Sequence, residues 1–416
     1  MNNRNFKGRA MNILYHHRTQ GTGAEGVHIA YVIKGLRALG HGVDVASPTD
    51  KEPSSSAGNS PYAKRVGIKS NVLNFISRIL PQFGFELLEI FYNFSAIRNL
   101  EKKMQNKKYQ FIYERQAFFL FAGAHIARKH SLPFIVEVNE VAGEQRVRHQ
   151  VFTAIAKKIE RKVFNQADAI IVVSEHLKQK IEELGVDGSK IHIVENGVDE
   201  AMFDIALDEA PIRAAHQAEK NTVVIGFVGW FVAWHKLDKL IDAMAMLDDD
   251  QSIQLWLVGE GDLKQSLIDR AEARGISNNL ILTGSIPYKD IPQYLKAMDI
   301  CVIPDSNEYR SPIKMFEYMA MAKTVVAPAY EPITKVINDG VDGVIFPPQD
   351  WDSLASTLNR IVKDSVLREE IGIRAREKIL SKYLWINNAK KVINIYHNFD
   401  GSEVDGSDCE SHSIGQ

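Results

Sequence analysis

Short apolar runs, each followed by a helix-length stretch with apolar residues three and four apart, recur along almost the whole chain, and that alternation leaves few folds open. In the first half the runs are "MNILYHH", "HGVDVASP", "FIYER", "PFIVEVN", "AIIVVS" and "IHIVENGV"; in the second they are "VVIGFVG", "QLWLVGEG", "LILTGSI", "ICVIPDS", "TVVAPAY" and "GVIFPP". A parallel strand pair needs a crossover, usually a helix, so such alternation builds parallel sheets covered on both faces. The two series predict an α/β protein of two doubly wound domains, joined in the polar stretch from Asp204 to Asn221. Ligands of such folds bind beyond the carboxyl ends of the strands, so chemistry is expected in the crevice between the domains.

Composition supports two cores and narrows the partners. Hydrophobic residues make up 45% of 416, and a net charge of −2 gives no reason to expect nucleic acid. With two cysteines, Cys301 in an expected strand and Cys409 in a polar tail, no disulfide framework is expected and a cytoplasmic setting fits. "MNNRNFKGRA" lacks a following apolar core, and "FFLFAGAHIA" is well short of the ~20 residues of a membrane-spanning helix. "EPSSSAGNSP" reads as a flexible loop, Tyr62 to Tyr109 as an insertion, and "DGSEVDGSDCESHSIGQ" as a disordered tail. The basic and apolar mixture between Tyr62 and Lys103 suits an interfacial helix at the inner face of a membrane, although ordinary core helices carry the same pattern.

"GTGAEG", with Gly21, Gly23 and Gly26, formally matches the dinucleotide fingerprint, and Asp44 or Asp50 stands at the distance of a ribose carboxylate. Taken alone it says dinucleotide. "HHRTQ", however, separates the first glycine from the strand, whereas the fingerprint starts at the strand end. The loop therefore also reads as a substrate-facing loop of another nucleotide-using enzyme, or as a tight turn.

"SPIKMFEYMAMAKTVVA" follows the strand "ICVIP". Ser311 reads as a helix N-cap and Pro312 as the first helical residue. The free N–H groups and dipole of such a helix form an anion site to which Lys314 adds a full charge, and a diphosphate would fit it. Lys is disfavoured at a helix N-terminus unless an anion is there. Glu317, three residues on, lies within reach of a ribose; the alternative is a surface ion pair with Lys314.

This segment resembles the donor-binding segment of retaining GT-B glycosyltransferases of family four. "ENGVD" with Phe203, "IGFVGWFVAWHKLDKLIDA", "LWLVGEGD", "LILTGSIPYKDIPQYLKAMDICVIP" and "INDGVDGVIFPPQD" are similar to that family in order and spacing, and "GTGAEGVHIAYVIKGLRALGHGVDV" and "IVEVNEV" more loosely. The resemblance runs from Met11 to Phe399. It implies a Rossmann-like N-terminal domain over residues 11–205 after an extension at 1–10, and a nucleotide-sugar-binding domain over 206–380. A helix over 381–399 would cross back onto the first domain, ahead of a tail at 400–416. It further implies retention of configuration, no bound metal or other cofactor, and a nucleotide-sugar donor with a glycan or lipid-linked acceptor. The donor residues it implies are Gly23, Gly229, Trp234, His235, Lys236, Gly259, Glu260 and Ile286, then Tyr309, Ser311, Pro312, Ile313, Lys314 and Glu317.

Two departures from the family stand out. Its motif of two Glu eight residues apart keeps only the second, Glu317; Tyr309 holds the first position and Glu308 is one residue out of register. Where many members carry an Arg and a Lys, this chain has Trp230 and His235, as in a sub-group with Trp-His and Ser-Pro-x-Lys loops, so Lys314 is expected to supply the missing cation. Cations and helix N–H groups at a leaving diphosphate stabilise the charge that develops there. The D-x-D-like run Asp248 to Asp250 reads as a solvated turn rather than a metal site.

On the acceptor side, Glu137, Asn139 and Glu140 end a strand, where one of them can orient or deprotonate a hydroxyl; alternatively Asn139 and Glu140 cap the next helix. His16 and His17, at the end of the first strand, are further acceptor-side candidates, with a hydrogen-bonded surface His as the alternative. The expected catalytic residues are Glu317, Lys314, His235 and Glu137. A sugar-nucleotide epimerase, an NAD-dependent oxidoreductase resting on "GTGAEG", and a silent nucleotide-sugar binder are the competing readings.

Overall fold

In the computed structural model, residues 10–19, 23–50, 52–53, 82–144, 150–248 and 252–400 are described. All twelve expected strands form. They are β1 (Asn12–His16), β2 (Gly42–Ala46), β3 (Phe111–Arg115), β4 (Phe134–Val138), β5 (Ala169–Val172) and β6 (Ile191–Ile193), then β7 (Val223–Val228), β8 (Ile253–Val258), β9 (Leu280–Gly284), β10 (Ile300–Val302), β11 (Thr324–Pro328) and β12 (Val344–Phe346). The first six pair in the order β2-β1-β3-β4-β5-β6 and the last six in the order β12-β11-β10-β7-β8-β9, every strand pair parallel. This is the two-domain, Rossmann-like GT-B arrangement of the α/β class.

The helices of the first domain are α1 (Gly23–Ala38), α2 (Gln82–Asn106), α3 (Ala122–His130), α4 (Thr153–Gln166) and α5 (Glu175–Glu182). Those that follow are α6 (Ala210–Ala215), α7 (Leu237–Met244), α8 (Lys264–Ala273), α9 (Ile291–Ala297), α10 (Ile313–Ala320), α11 (Glu331–Thr334), α12 (Trp351–Lys363), α13 (Ser365–Lys382) and α14 (Trp385–Asp400). Strand alternation sorts them. Leu14, Ile112 and Val136 face a core closed by α2, α3 and α4, whereas Ile13, Tyr15, Tyr113 and Ile135 face the opposite core, closed by α1 and α14. Both faces being buried explains why these strands are unbroken apolar runs. In the second domain Val224, Trp256 and Val325 face α9, α10 and α13, while Ile225, Leu255 and Val302 face α7, α8 and α12.

The chain crosses between the domains at both ends of the second one. Val198 and Phe203 already pack in the second domain's core, ahead of the expected junction. At the far end, Trp385 of α14 lies against His28 and Tyr31 of α1, and Asn388 donates to the Glu195 carbonyl at 2.9 Å. Part of "GTGAEG" lies outside the described residues, but α1 begins at Gly23, so two of its three glycines are helical rather than in a turn. The first 20 residues of the expected insertion are also outside the described residues; most of the remainder is the 25-residue α2. The same holds for the N-terminal extension, Asp249 and Asp250, and the tail from residue 401, with Cys409. Among the described residues no helix is long and apolar enough to cross a membrane.

Candidate active site

A cleft of about 470 Å³ opens between the carboxyl edges of the two sheets. Its second-domain wall is the loop after β7, the loop after β10 with the start of α10, and Ile286 and Tyr288. Its first-domain wall is the start of α1 with Arg115, Asn139, Glu140, Val173 and Asn196.

The start of α10 differs from expectation in one respect. The helix begins at Ile313, and extended Pro312 is its cap residue, the Pro312 carbonyl accepting from Met315 at 3.1 Å. Ser311 does not cap it. The Ser311 carbonyl accepts instead from Asn196 at 2.7 Å, and its hydroxyl is buried in the cleft wall with no partner. The helix is tied to the strand edge by Tyr318, whose hydroxyl accepts from the Val228 N–H at 2.8 Å. Its first turn thus faces the cleft with unbonded N–H groups and no side-chain cap, which is the arrangement an anion would complete.

Lys314 reaches over this end. Its Nζ sits 4.0 Å above the Phe227 ring centroid and 3.5 Å from His235 Nε2, with no salt-bridge partner among the described residues. Burial pushes its pKa down to about 7 against the opposing pull of Glu317. His235 is held neutral, its pKa driven to about 2 by burial and by the charges of Lys314 and Arg310. A second cation was not legible in the sequence. The Arg310 guanidinium lies 5.1 Å from the Trp234 ring centroid and 5.3 Å from that of Tyr309, sandwiched by aromatics and without an ion pair among the described residues. It restores from the later loop a charge that the earlier loop lacks.

Glu317, three residues on, lines the cleft from the same helix end. It accepts a 2.6 Å hydrogen bond from the Tyr288 hydroxyl, and no salt bridge joins it to Lys314. Burial lifts its pKa to about 7, partly opposed by that hydrogen bond and by Lys314. A pH dependence follows. The folded pKa of Lys314 lies below its ordinary 10.5, so the protein loses stability as pH falls from 10.5 toward 7. The folded pKa of Glu317 lies above its ordinary 4.5, so stability is also lost as pH rises from 4.5 toward 7. The gap in thermal midpoint between the wild type and Lys314→Met/Glu317→Gln is expected to be widest near pH 7. A gap independent of pH in scanning calorimetry would contradict the two shifts.

In the first domain, Asn139 and Glu140 line the cleft, and the next helix starts only at Thr153, so they do not cap it. Glu137 lies beneath them, 2% exposed, bound by Tyr113 at 2.9 Å, by Asn139 at 2.6 Å and by Arg115, with His28 at 3.5 Å. Burial raises its pKa, but His28, Arg115 and these hydrogen bonds outweigh it, and the net shift is downward. Such a carboxylate orients Asn139 and Arg115 toward the cleft and is a poor base. His16 is outside the cleft. It is 1% exposed on the α2 side of the sheet, its Nδ1 2.5 Å from Glu114. His17 is buried and neutral at physiological pH, its pKa lowered by burial to about 4.

Of the other expected donor residues, Trp234, Ile286, Tyr309, Pro312 and Ile313 line the cleft. Gly229, Lys236, Gly259 and Glu260 do not. Lys236 is the cap residue before α7, with φ 51°, and Glu260 pairs with Lys264 at 2.8 Å. Gly229 and Gly259 act through their backbones: the Gly229 N–H donates to the Val258 carbonyl at 2.9 Å, and a Cβ on Gly259 would lie 2.0 Å from the Gly229 carbonyl oxygen. Tyr309 is also the side chain that the second domain inserts into the core of the first, where Ser174 donates to its carbonyl at 3.2 Å. Beside it, Glu308 approaches His176 at 3.3 Å. Arg115 and Arg310 are cleft residues that carry no local motif, and His28, Asn196 and Tyr288 lie in segments similar to the family but are not among the donor residues that the resemblance implies. Asp44 is held by Lys107 and Tyr109, and Asp248 by Asn359 and Lys363, all away from the cleft.

Residues 25–201 match the family model described as Glycosyltransferase Family 4, and residues 208–378 that described as Glycosyl transferases group 1. An uncharacterized glycosyltransferase of Methanocaldococcus jannaschii is 27% identical over 231 residues, 55% of this chain and 59% of its own. A phosphatidyl-myo-inositol mannosyltransferase of Mycolicibacterium smegmatis is 26% identical over 260 residues, 61% of this chain and 62% of its own. Anabaena HepE, solved in complex with UDP, is similar in fold: TM-score 0.70 at 16% identity, covering 93% of this chain and all of that one. With one family model on each domain and the two facing sheets described above, the chain belongs to the group 1 glycosyltransferases of GT-B fold.

Proposed function

We propose that this protein is a cytoplasmic, retaining, metal-independent glycosyltransferase that moves a sugar from a nucleoside diphosphate sugar to a glycan or lipid-linked acceptor in polysaccharide or glycoconjugate assembly. The observation that carries the reading is the start of α10, where Lys314 and unbonded N–H groups face the cleft and Glu317 lies three residues on. A diphosphate fits the first and a ribose, whose hydroxyls donate to a carboxylate, fits the second. In the reaction the bond between the anomeric carbon and the diphosphate oxygen breaks with its electron pair going to the diphosphate. The acceptor oxygen bonds to that carbon and gives up its proton to the leaving diphosphate or to solvent. Lys314, Arg310 and the helix end meet the developing charge, a role that positioned cations fill without a metal. His235, being neutral, can donate a hydrogen bond from either ring nitrogen. On the acceptor side Asn139 and Glu140 hold the incoming hydroxyl. Retention is supported by the resemblance of "SPIKMFE" to retaining members of the family, and a lipid-linked acceptor by the mannosyltransferase relative.

Isothermal calorimetry with UDP, GDP, ADP and their sugar conjugates tests this. One nucleotide diphosphate is expected to bind the wild type, UDP being the first to try because HepE is solved with it, and to bind Glu317→Ala at least tenfold more weakly. Binding of NAD in place of every nucleotide diphosphate would sink the proposal. Nucleotide release from the bound sugar donor only when an acceptor is added would set transfer apart from epimerisation.

A further inference from the structure

We infer that the outer face formed by α2 and α4 is a docking surface for an anionic lipid bilayer. The inference deepens the acceptor side of the proposed function but stands on different residues. At 1.5 Å per residue α2 is about 37 Å long, whereas the five-residue strands it covers span roughly 17 Å. Ala96 and Leu100 anchor its second half in the core. Its first half runs past the carboxyl edge of the sheet, where Arg18, just beyond β1, pairs with Glu89 at 2.9 Å. That is the edge onto which the cleft opens.

On this half, Phe83, Leu87, Phe91 and Phe94 follow one another at steps of three and four, with Leu88 alongside, all exposed; Phe91 and Phe94 are 60% and 59% exposed. Val151 and Ile155 extend the patch from α4. The two helices are joined there by Glu86, which accepts from the N–H groups of Val151 and Phe152 at 2.8 and 2.7 Å. A contiguous apolar face of this kind marks an interaction site rather than ordinary surface.

Charge selects the occupant. Lys157, Lys158, Arg161 and Lys162 are exposed on α4, and Arg98 and Lys102 continue the stripe of α2; none of the six is ion-paired among the described residues. The acids of both helices are turned to internal use. Glu86 and Glu160 are buried against backbone N–H groups, Glu89 holds Arg18, and Glu101 holds Lys129 and His130. In a chain of net charge −2 this segregation leaves unpaired cations, and no unpaired acid, on the described residues of these two helices beside the apolar side chains. A second copy of the chain would bring like charges together across a two-fold axis, and a soluble polyanion has no use for the apolar stripe. An anionic bilayer uses both, the side chains entering the acyl boundary and the cations meeting headgroups. Docked so, the protein presents the cleft edge to an acceptor carried in the membrane.

Flotation of the purified chain with vesicles of phosphatidylglycerol and phosphatidylcholine, against phosphatidylcholine alone, tests the surface. Binding to the mixed vesicles is expected to exceed that to neutral ones at least tenfold and to weaken with salt. Phe91→Ser/Phe94→Ser and Lys158→Glu/Arg161→Glu are each expected to lower it at least tenfold, with unchanged circular dichroism and unchanged nucleotide binding. Wild type that stays behind, or a Phe91→Ser/Phe94→Ser variant that floats as the wild type does, overturns the inference. So does a wild-type dimer in sedimentation that this variant converts to monomer, since the face would then be covered by a second copy. Nucleotide binding without flotation refutes this surface alone, and flotation without nucleotide binding refutes the donor site alone.

Discussion

Lys314→Met is expected to slow sugar transfer roughly 10²–10³-fold, the usual consequence of removing one preorganised donor from a developing oxyanion, while raising the thermal midpoint of the nucleotide-free protein. The two effects have one cause. Lys314 is mostly buried, has no ion-paired carboxylate among the described residues, and is held to a pKa of about 7 by that burial, so without a bound anion it weakens the fold. Methionine has similar volume and keeps the contact with Phe227. Steady-state transfer assays and scanning calorimetry on the same preparations check the pair. Unchanged activity would remove Lys314 from the chemistry, and a lowered midpoint would mean that its charge is compensated in the free protein.

Gly259→Ala is expected to lower stability by about 3 kcal/mol or more, combining backbone strain with overpacking, and to weaken nucleotide binding with it. Gly259 has φ 146°, and its Cβ would meet the Gly229 carbonyl oxygen at 2.0 Å. Two residues on, the chain still runs flush with the loop after β7: the Phe231 N–H donates to the Glu260 carbonyl at 2.9 Å, and a Cβ on Gly261 would lie 2.4 Å from the Phe231 carbonyl oxygen. Relief of the clash would move the loop that carries Trp234 and His235. Gly275→Ala is the control, since it has φ 74° and nothing within 4 Å of its Cβ, and should cost only the local strain. Chemical denaturation of the two variants separates them, and equal midpoints would show that the approach of the two loops is not tight.

The fold was legible because its strands are buried on both faces, so that hydrophobicity marks them without help from distant residues. The α10 helix, with Lys314 and Glu317, was legible because a strand, a loop and an amphipathic run follow in order. What escaped were choices of partner made across the fold. Ser311 has the composition of an N-cap, yet Asn196, 115 residues earlier, takes its carbonyl and sets it elsewhere. Glu137 has the position of a strand-end base, yet Arg115, His28 and Tyr113 converge on it from other elements. Arg310 has no motif, and its place follows only once Trp234 and Tyr309 are brought to either side of it. "GTGAEG" was ambiguous for a local reason: a helix start and a phosphate loop can share the same glycines, and here the helix that starts at Gly23 brings Glu25 and His28 to the cleft.

The loop that presents Arg310 is the one whose Tyr309 is seated in the opposite domain, fastened by Ser174 and followed by a second tie from Asn196 to Ser311. Grip and gate are therefore one object. To part the domains the protein has to withdraw a buried aromatic ring, and that same withdrawal dismantles the cation sandwich beside the proposed diphosphate site. On the proposed donor site, a departing nucleotide would lose its counter-charge as its exit opens, which would tie release to the integrity of a hydrophobic core some distance from the chemistry, so that substitutions in that core would act as changes in turnover.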